Sequence, residues 1–382
     1  MAPSIVQYLI CPYSNEELKL ISLKKNIDSN GVEDIEYGVL KTNEGIVYPI
    51  VRGVPRLFEG ALYIFKDFCQ QWKKELNDLN LLNDKSLAPP GEFFMNYIYP
   101  TMKRFEVEWE KHSLEDKTWN LNQDERIEKY VDYMGLKRES FKDKLFLDAG
   151  AGTGQLVCSI AQQLNCDIIG FDIQPSIEKG WLQRKKYAGN NYHRVHIIQA
   201  NVMHPPFKAK TFDGIHSSGV LHHTPNTQNA FNCLINLVKN KGTLSVWLYR
   251  QYNKLYEKYK FQHEMLIPVI PFVSNDFFML SGRKLRKHTT KMPPRLLYFL
   301  VDVYVVYIQL FYKLNALIRR KAHPQSIKER VTSIYDVLAP IYSWYHAQED
   351  VISWFKEAGY EEIRETDFEN EFGFNLSGIR KL

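Results

Sequence analysis

Apolar and polar residues change their period several times along this chain. Between Lys144 and Asp172 the pattern opens on alternation at Leu145 and Leu147. It passes through Gly150, Gly152 and Gly154 at every second position, takes a helical spacing over Gln155–Leu164, and returns to a buried run over Asp167–Phe171. Strand, glycine turn, helix and strand make one βαβ unit of a nucleotide-binding α/β fold. The alternation continues beyond it. Val195–Gln199, the stretch from Phe212 towards Thr224 with its exit loop, and Leu244–Tyr249 are predicted strands, with Lys241-Gly242-Thr243 turning into the last. Gln348–Ala358 has an amphipathic helical spacing ended by Gly359, and Glu361–Phe368 and Phe372–Arg380 read as a closing hairpin.

The flanks of this region have other patterns. Residues 1–60 hold short apolar runs punctuated by Gly and Pro, which predicts a small β-rich unit. Residues 61–143 are helical in spacing and polar between aromatics, with a turn at Ala88-Pro89-Pro90-Gly91; a helix over Asp124–Met134, stopped by Gly135, leads into the first strand of the α/β region. Residues 250–330 contain a basic cluster, Arg283 to His288, and an apolar run, Leu296–Leu310, interrupted by Asp302 and Gln309. That interruption leaves less than the roughly 18 apolar residues a membrane span needs. The run is expected to form a helical lid, a surface-lying membrane helix being the rival reading. The chain thus divides into 1–60, a helical cap 61–143, a core 144–249, a lid 250–330 and a C-terminal completion of the sheet, 331–382.

Composition narrows the classes of function. In 382 residues a net charge of +5 is mild and calls for neither nucleic acid nor membrane as a partner. Aromatic residues make up 14% of the chain, which favours a roomy aromatic-lined interior. Cys11, Cys69, Cys158, Cys166 and Cys233 contain no C-x-x-C pair, which argues against a disulfide framework and a zinc site and fits a reducing cytoplasm. The first residues have no positive region followed by a long apolar run, so a cytoplasmic location is expected.

The glycine turn carries the chemistry. Glycine has no Cβ, so the backbone can adopt positive φ and approach a ligand closely, while the following helix points unpaired N–H groups at the same spot. Asp172, at the end of the next strand, stands where a carboxylate accepts the two hydroxyls of a ribose. The turn reads D-A-G-A-G-T-G from Asp148 to Gly154. An acid at its head repels a pyrophosphate and suits a cofactor that carries a cation. The pattern resembles the first motif of the class I S-adenosylmethionine-dependent methyltransferases, D/E-x-G-x-G-x-G. The run Phe212 to His223 likewise resembles the family's F-D-x-x-x-S-x-G-V-L-H-H stretch, as found in bacterial small-molecule methyltransferases.

The resemblance implies a Rossmann-like, doubly wound and mostly parallel sheet of seven strands with S-adenosyl-L-methionine as cofactor. Asp148, Gly150, Gly152 and Gly154 would wrap its methionine and ribose, and Asp172 with Ile173 would hold the adenosine. Asn201 with Val202 takes the place of the acid that meets the adenine amino group, an amide oxygen being able to accept the same hydrogen bond. Ser217 lies on the fourth strand at the same rim. Histidine titrates nearest neutral pH, so His222, then His223, are the candidate bases. Trp109, in an aromatic–acidic segment that resembles a pre-catalytic cap, and Tyr342 and His346 are candidate substrate contacts. The fourth strand lacks the N-P-P-Y type motif that holds planar nitrogens, so the expected acceptor is a small organic metabolite. An RNA- or protein-directed methyltransferase and a non-catalytic cofactor-binding scaffold remain as alternatives. Residues 1–60 resemble a zinc-ribbon-like domain through Cys11-Pro12 and the run Gly45 to Pro55. Ser14 stands where a second cysteine would complete C-P-x-C, so no metal is expected there, and the unit reads as a docking or stabilising lobe or as an unrelated hairpin extension.

Overall fold

The computed structural model of the chain describes residues 1–117, 121–251, 282, 284–319, 326–366 and 372–381, with 310–319 described by backbone alone. Its strands are β1 (Lys19–Ile27), β2 (Glu33–Lys41), β3 (Val47–Val51), β4 (Val54–Leu57), β5 (Leu145–Ala149), β6 (Asp167–Asp172), β7 (Val195–Ala200), β8 (Phe212–Ser218), β9 (Val238–Tyr249), β10 (Tyr360–Thr366) and β11 (Gly373–Arg380). They form a single eleven-stranded sheet in the order β1-β2-β3-β4-β7-β6-β5-β8-β9-β11-β10. Pairing is parallel from β4 through β9 and antiparallel on both flanks. The sheet is therefore mixed and wider than the seven strands expected.

The longer helices are α1 (Tyr99–Trp109), α2 (Gln123–Met134), α3 (Gln155–Leu164), α4 (Glu178–Tyr187), α5 (Thr227–Ile235), α6 (Pro294–Arg319), α7 (Ile327–Leu338) and α8 (Gln348–Glu357). Strands β5 and β7 are buried along their whole length, as parallel strands covered on both faces must be, which explains their near-continuous apolar sequence. The α2 helix starts with a reciprocal capping box between Asn122 and Glu125 and stops at Gly135, whose φ of +65° suits a residue without Cβ. The expected turn at Lys241-Gly242-Thr243 lies inside β9, where Lys241 takes a φ of +63° and the ladder to β8 shifts register. Phe368 of the predicted hairpin lies outside the described residues.

The N-terminal unit does not stand apart. Strand β4 pairs in parallel with β7, Arg56 opposite Gln199 and Leu57 opposite Ala200. Arg56 is 1% exposed; its Nη1 donates to Gln199 Oε1 at 2.9 Å, and its Nη2 forms an ion pair with Glu178 at the start of α4. The zinc-ribbon likeness finds no support. Among the described residues no group of three or more His, Cys, Asp or Glu is placed to hold a metal ion, and Cys11 is buried with its Sγ 3.2 Å from the Tyr48 hydroxyl.

The lid also differs from expectation. Helix α6 packs Leu297, Val301 and Val305 against Val331, Ile334 and Leu338 of α7 and Val107 of α1. It is α7, not the 296–310 run, that reaches the crevice described below. Among the described residues no helix is long and apolar enough to cross a membrane. Arg283 and residues 252–281, also assigned to the lid, lie outside the described residues.

Because Arg56 is the shared partner of Gln199 and Glu178, Arg56→Met leaves the buried Gln199 amide without its donor and the half-buried Glu178 carboxylate with Arg52 alone. The expected loss is about 3 kcal/mol of unfolding free energy in a denaturant titration. A change below about 1 kcal/mol would mean that this contact does not tie the N-terminal strands to the sheet.

Candidate active site

The chain leaves β5 for β6 and β7 on one side and returns for β8 and β9 on the other. At such a reversal the loops beyond neighbouring strands part, and a crevice opens at their carboxyl ends. A cavity of about 480 Å³ lies there, walled by the ends of β5 to β9 and by residues of α1, α2, α3 and α7. That size suits a cofactor or metabolite.

The glycine turn forms one rim, and its backbone donors are largely used within the chain. The N–H groups of Gly150 and Ala151 donate to Phe171 O at 2.8 and 3.0 Å, and that of Gly154 to Ala151 O at 2.8 Å. Gly152 N–H donates to Asp172 Oδ2 at 2.9 Å. A pyrophosphate nest needs free N–H groups, so this turn is not built as one. Each glycine answers a different crowding. A Cβ on Gly150 would lie 2.0 Å from Val220 Cγ2, and one on Gly154 2.9 Å from Gly180 Cα, where α3 and α4 touch. A Cβ on Gly152 would meet only ordinary contact, 3.5 Å from the Trp109 ring.

Two carboxyl groups face the cavity from adjacent strands. Burial pushes Asp148 up to about 7, against the pull of Arg126, with the charge of Asp172 adding to the rise. Burial likewise raises Asp172 to about 6, opposed by the N–H groups of Gln174 and Gly152. Each Asp172 oxygen accepts one backbone N–H, Oδ1 from Gln174 at 3.1 Å and Oδ2 from Gly152, which leaves acceptor capacity on both oxygens. Arg126 is held by a hydrogen bond to Gln155 Oε1, and Gln155 Nε2 donates to the Leu114 and Asp116 carbonyls. Arg126, Lys129, Tyr130 and Tyr133 all line the cavity from one face of α2, a spacing of i, i+3, i+4, i+7 that could have been read from the sequence.

Trp109 closes the opposite rim. Its helix ends under Lys179, whose Nζ donates to the carbonyls of Trp109, Glu110 and His112 at 3.0, 2.8 and 2.7 Å. An ammonium at a helix C-terminus satisfies orphan carbonyls and the helix dipole together. Beside Trp109, Glu108 is 1% exposed; burial, then Asp336 and Asp172, raise its carboxyl well above the usual range.

The two histidines separate sharply. His223 lines the cavity; its Nδ1 lies 3.0 Å from Tyr342 O, a carbonyl that can only accept, so the proton sits on Nδ1 and Nε2 keeps a lone pair. Asp336 Oδ1 lies 3.7 Å from that Nε2, and the Tyr249 hydroxyl donates to Asp336 Oδ2. Burial lowers His223, with Asp336 opposing, so the ring is neutral at physiological pH. His222, the first-choice base from sequence, does not line the cavity. Its ring is 0% exposed and stacks on Tyr249 with centroids 4.0 Å apart, and burial drives its pKa well down.

Asp148, Gly150, Gly152, Asp172, Ile173, Asn201, Val202 and Trp109 line the cavity, whereas Gly154, Ser217, Tyr342 and His346 stand off it. Asn201 Oδ1 accepts Met203 N–H at 3.0 Å, keeping one lone pair. Ser217 Oγ donates to Ala149 O at 2.8 Å and so braces β5. His346 Nε2 meets Thr227 Oγ1 at 2.9 Å, and the Tyr342 side chain lies by Tyr97, its backbone serving His223. Sequence reasoning passed over Asp336 and Tyr249, which reach the site only through tertiary packing.

Residues 147–246, from β5 into β9, match the family model described as a methyltransferase domain. Sterol 24-C-methyltransferase of Saccharomyces cerevisiae is 25% identical over 32% of this chain and 31% of its own length. An uncharacterized protein of Methanocaldococcus jannaschii is 32% identical over 32% of this chain and 48% of its own length. The chain therefore spans less than half the length of these relatives. Magnesium protoporphyrin IX methyltransferase of Synechocystis PCC 6803 superposes with a TM-score of 0.39 at 11% identity, covering 76% of this chain and 97% of that one.

The unequal crowding at the glycines has a measurable outcome. Gly150→Ala, with φ at +94° and Val220 in the way, is expected to cost roughly 3 kcal/mol of stability. Gly152→Ala, at φ +57° with open contact, should cost only about 1 kcal/mol. Equal losses in thermal or chemical unfolding would remove the steric account of the turn.

Proposed function

We propose that this chain is an S-adenosylmethionine-dependent methyltransferase that acts on a small organic acceptor inside the β5–β9 crevice. The observation that carries the reading is the pairing of Asp148 and Asp172 on one cavity wall beside a glycine turn whose N–H groups are largely used. A pair of buried acids favours a cationic ligand, and the residues present fit S-adenosylmethionine. Asp172 would take the ribose hydroxyls, Asn201 the adenine amino group, and Asp148 the cationic end. Bound there, the cofactor supplies a methyl group activated by its positive sulfur.

The chain's own task is then to place the acceptor and remove its proton. In this reading His223, neutral and on the cavity wall, is the proton acceptor through the lone pair of its buried Nε2, with Asp336 steadying the imidazolium that forms. Trp109, Phe105 and Ile334 make that part of the wall apolar and aromatic, which supports an enclosed organic acceptor rather than a polymer. The basic cluster lends an RNA target little support. Arg286 is buried and donates to Val337 O at 2.9 Å, so part of the cluster is structural. The domain match supports a catalyst over a passive scaffold. Transfer of an isotope-labelled methyl group to a cell metabolite extract tests the reading, and tight cofactor binding with no transfer to any fraction would sink it.

Proton linkage gives a second check. Asp148 and Asp172 titrate near 7 and 6 in the free protein, above the ordinary carboxylate value. Their protonated forms therefore stabilise the free fold below the ordinary carboxylate value of about 4, and that stability is lost as pH rises from there through about 6 and 7. A cationic ligand favours the ionised forms, so its binding releases protons and tightens by about tenfold between pH 5 and 8. Calorimetry in two buffers of different ionisation heat counts those protons, and Asp148→Asn should remove the upper step. No proton release at pH 6.5 would refute the assignment.

The histidine assignment makes a separate claim. His223→Ala should lower kcat about a hundredfold with cofactor affinity kept, whereas His222→Phe, beneath Tyr249, should alter stability more than turnover. Full activity in His223→Ala would remove the base.

A further inference from the structure

Helix α6 is apolar on two faces, and among the described residues only one has a partner. Leu297, Val301, Val305 and Ile308 are buried against α7 and α1. Leu296, Phe299, Leu300, Val303, Val306 and Tyr307 are instead between 43% and 68% exposed. At about 100° per residue these six fall within a single arc of roughly 120°, opposite the buried stripe. No charged residue falls within the arc. Asp302, Gln309 and Arg295 lie together on one flank of it. From Leu296 to Tyr307 the arc is about 17 Å long, far short of the roughly 30 Å of a bilayer core. An element of this shape lies along a surface rather than through it.

Charge favours one occupant. Lys284, Lys287, His288 and Lys291 are exposed just before the helix, and the Arg295 side chain is 81% exposed on its first turn, 3.7 Å from Glu110 Oε2. A wide apolar arc of Phe, Leu, Val and Tyr bordered by cations at one end is the composition of an interfacial helix. We propose that the outer face of α6 docks the protein on an anionic lipid surface, the six side chains entering the headgroup boundary and the cations of residues 284–295 meeting lipid phosphates. This replaces the expectation of no membrane partner and does not depend on the reaction proposed above.

The probe is a set of vesicles, pure phosphatidylcholine or phosphatidylcholine with about one-third phosphatidylglycerol, sedimented with the full chain. Binding to the anionic vesicles is expected, falling steeply with added salt, since each cation near such a surface contributes about fivefold. Phe299→Glu with Val303→Glu should reduce binding at least tenfold while the unfolding temperature and the sedimentation coefficient stay as in the unaltered chain. Lys287→Glu with Lys291→Glu should lower binding and erase the preference for the anionic vesicles. Absence of binding, or binding untouched by the Glu pair, overturns the proposal. A dimer that the Glu pair dissociates would assign the face to a second copy, and a lowered unfolding temperature would show that the chain itself covers it; either result also overturns the proposal.

Discussion

One hydrogen bond, from the Gly152 N–H to Asp172 Oδ2 at 2.9 Å, joins the ends of β5 and β6 and decides what the crevice can hold. It turns the second acid towards the cavity, and with the bonds from Gly150 and Ala151 to Phe171 O it uses most of the donors of the turn. What remains at the rim is acceptor capacity and negative charge. Burial raises both carboxyl groups, and at Asp148 the charge of Asp172 adds to the rise. The site is thus primed for a ligand that brings positive charge and hydroxyl donors, and poorly suited to one that brings phosphate.

The rest of the crevice is fixed from a distance. Lys179, on the helix that follows β6, holds the C-terminus of α1 and so sets where Trp109 stands over the turn. Gln199 Nε2 donates to Ile173 O at 2.7 Å, while its Oε1 is taken by Arg56 of the N-terminal strands. Three parts of the chain that are remote in sequence therefore brace the same few residues beyond β6. The cost of burying Arg56 and Lys179 is offset because nearly every donor they carry into the site has an acceptor waiting.

How much could be read beforehand follows from which contacts are local. The unit from Leu145 to Asp172 was legible because strand, turn and helix periods, three glycines and a closing acid all agree within one short segment. That residues 1–60 extend the sheet was not, since β4 is four residues long and its pairing with β7 leaves no local mark. The two histidines show the limit most plainly. They are neighbours on one short turn, Leu221–His223, and only the packing of Tyr249 and the Tyr342 carbonyl decides which one faces the cavity. Asp336 lies just before Tyr342 and His346 in sequence, but its role depends on α7 reaching across to β9.

Widening the sheet also moves its edges. Were β7 the last strand, an apolar ladder buried at every position would face solvent on one side, an invitation to pair with another chain. With β4 beside it and β3, β2 and β1 beyond, the edge falls instead on β1, which carries Lys19, Lys24 and Lys25 and shifts register around Lys24. Ion pairs from Lys24 to Glu36 and Lys25 to Glu33 hold those side chains across the last pair of strands. The opposite edge, β10, uses the same devices: Glu361, Glu362 and Arg364 are charged, Glu362 takes a φ of +50°, and the ladder to β11 skips between Glu361 and Arg364. Charged, kinked strands at both ends close the sheet to outside partners. The six exposed apolar side chains that share one arc of α6 lie on a helix, where they can meet a partner without templating a sheet.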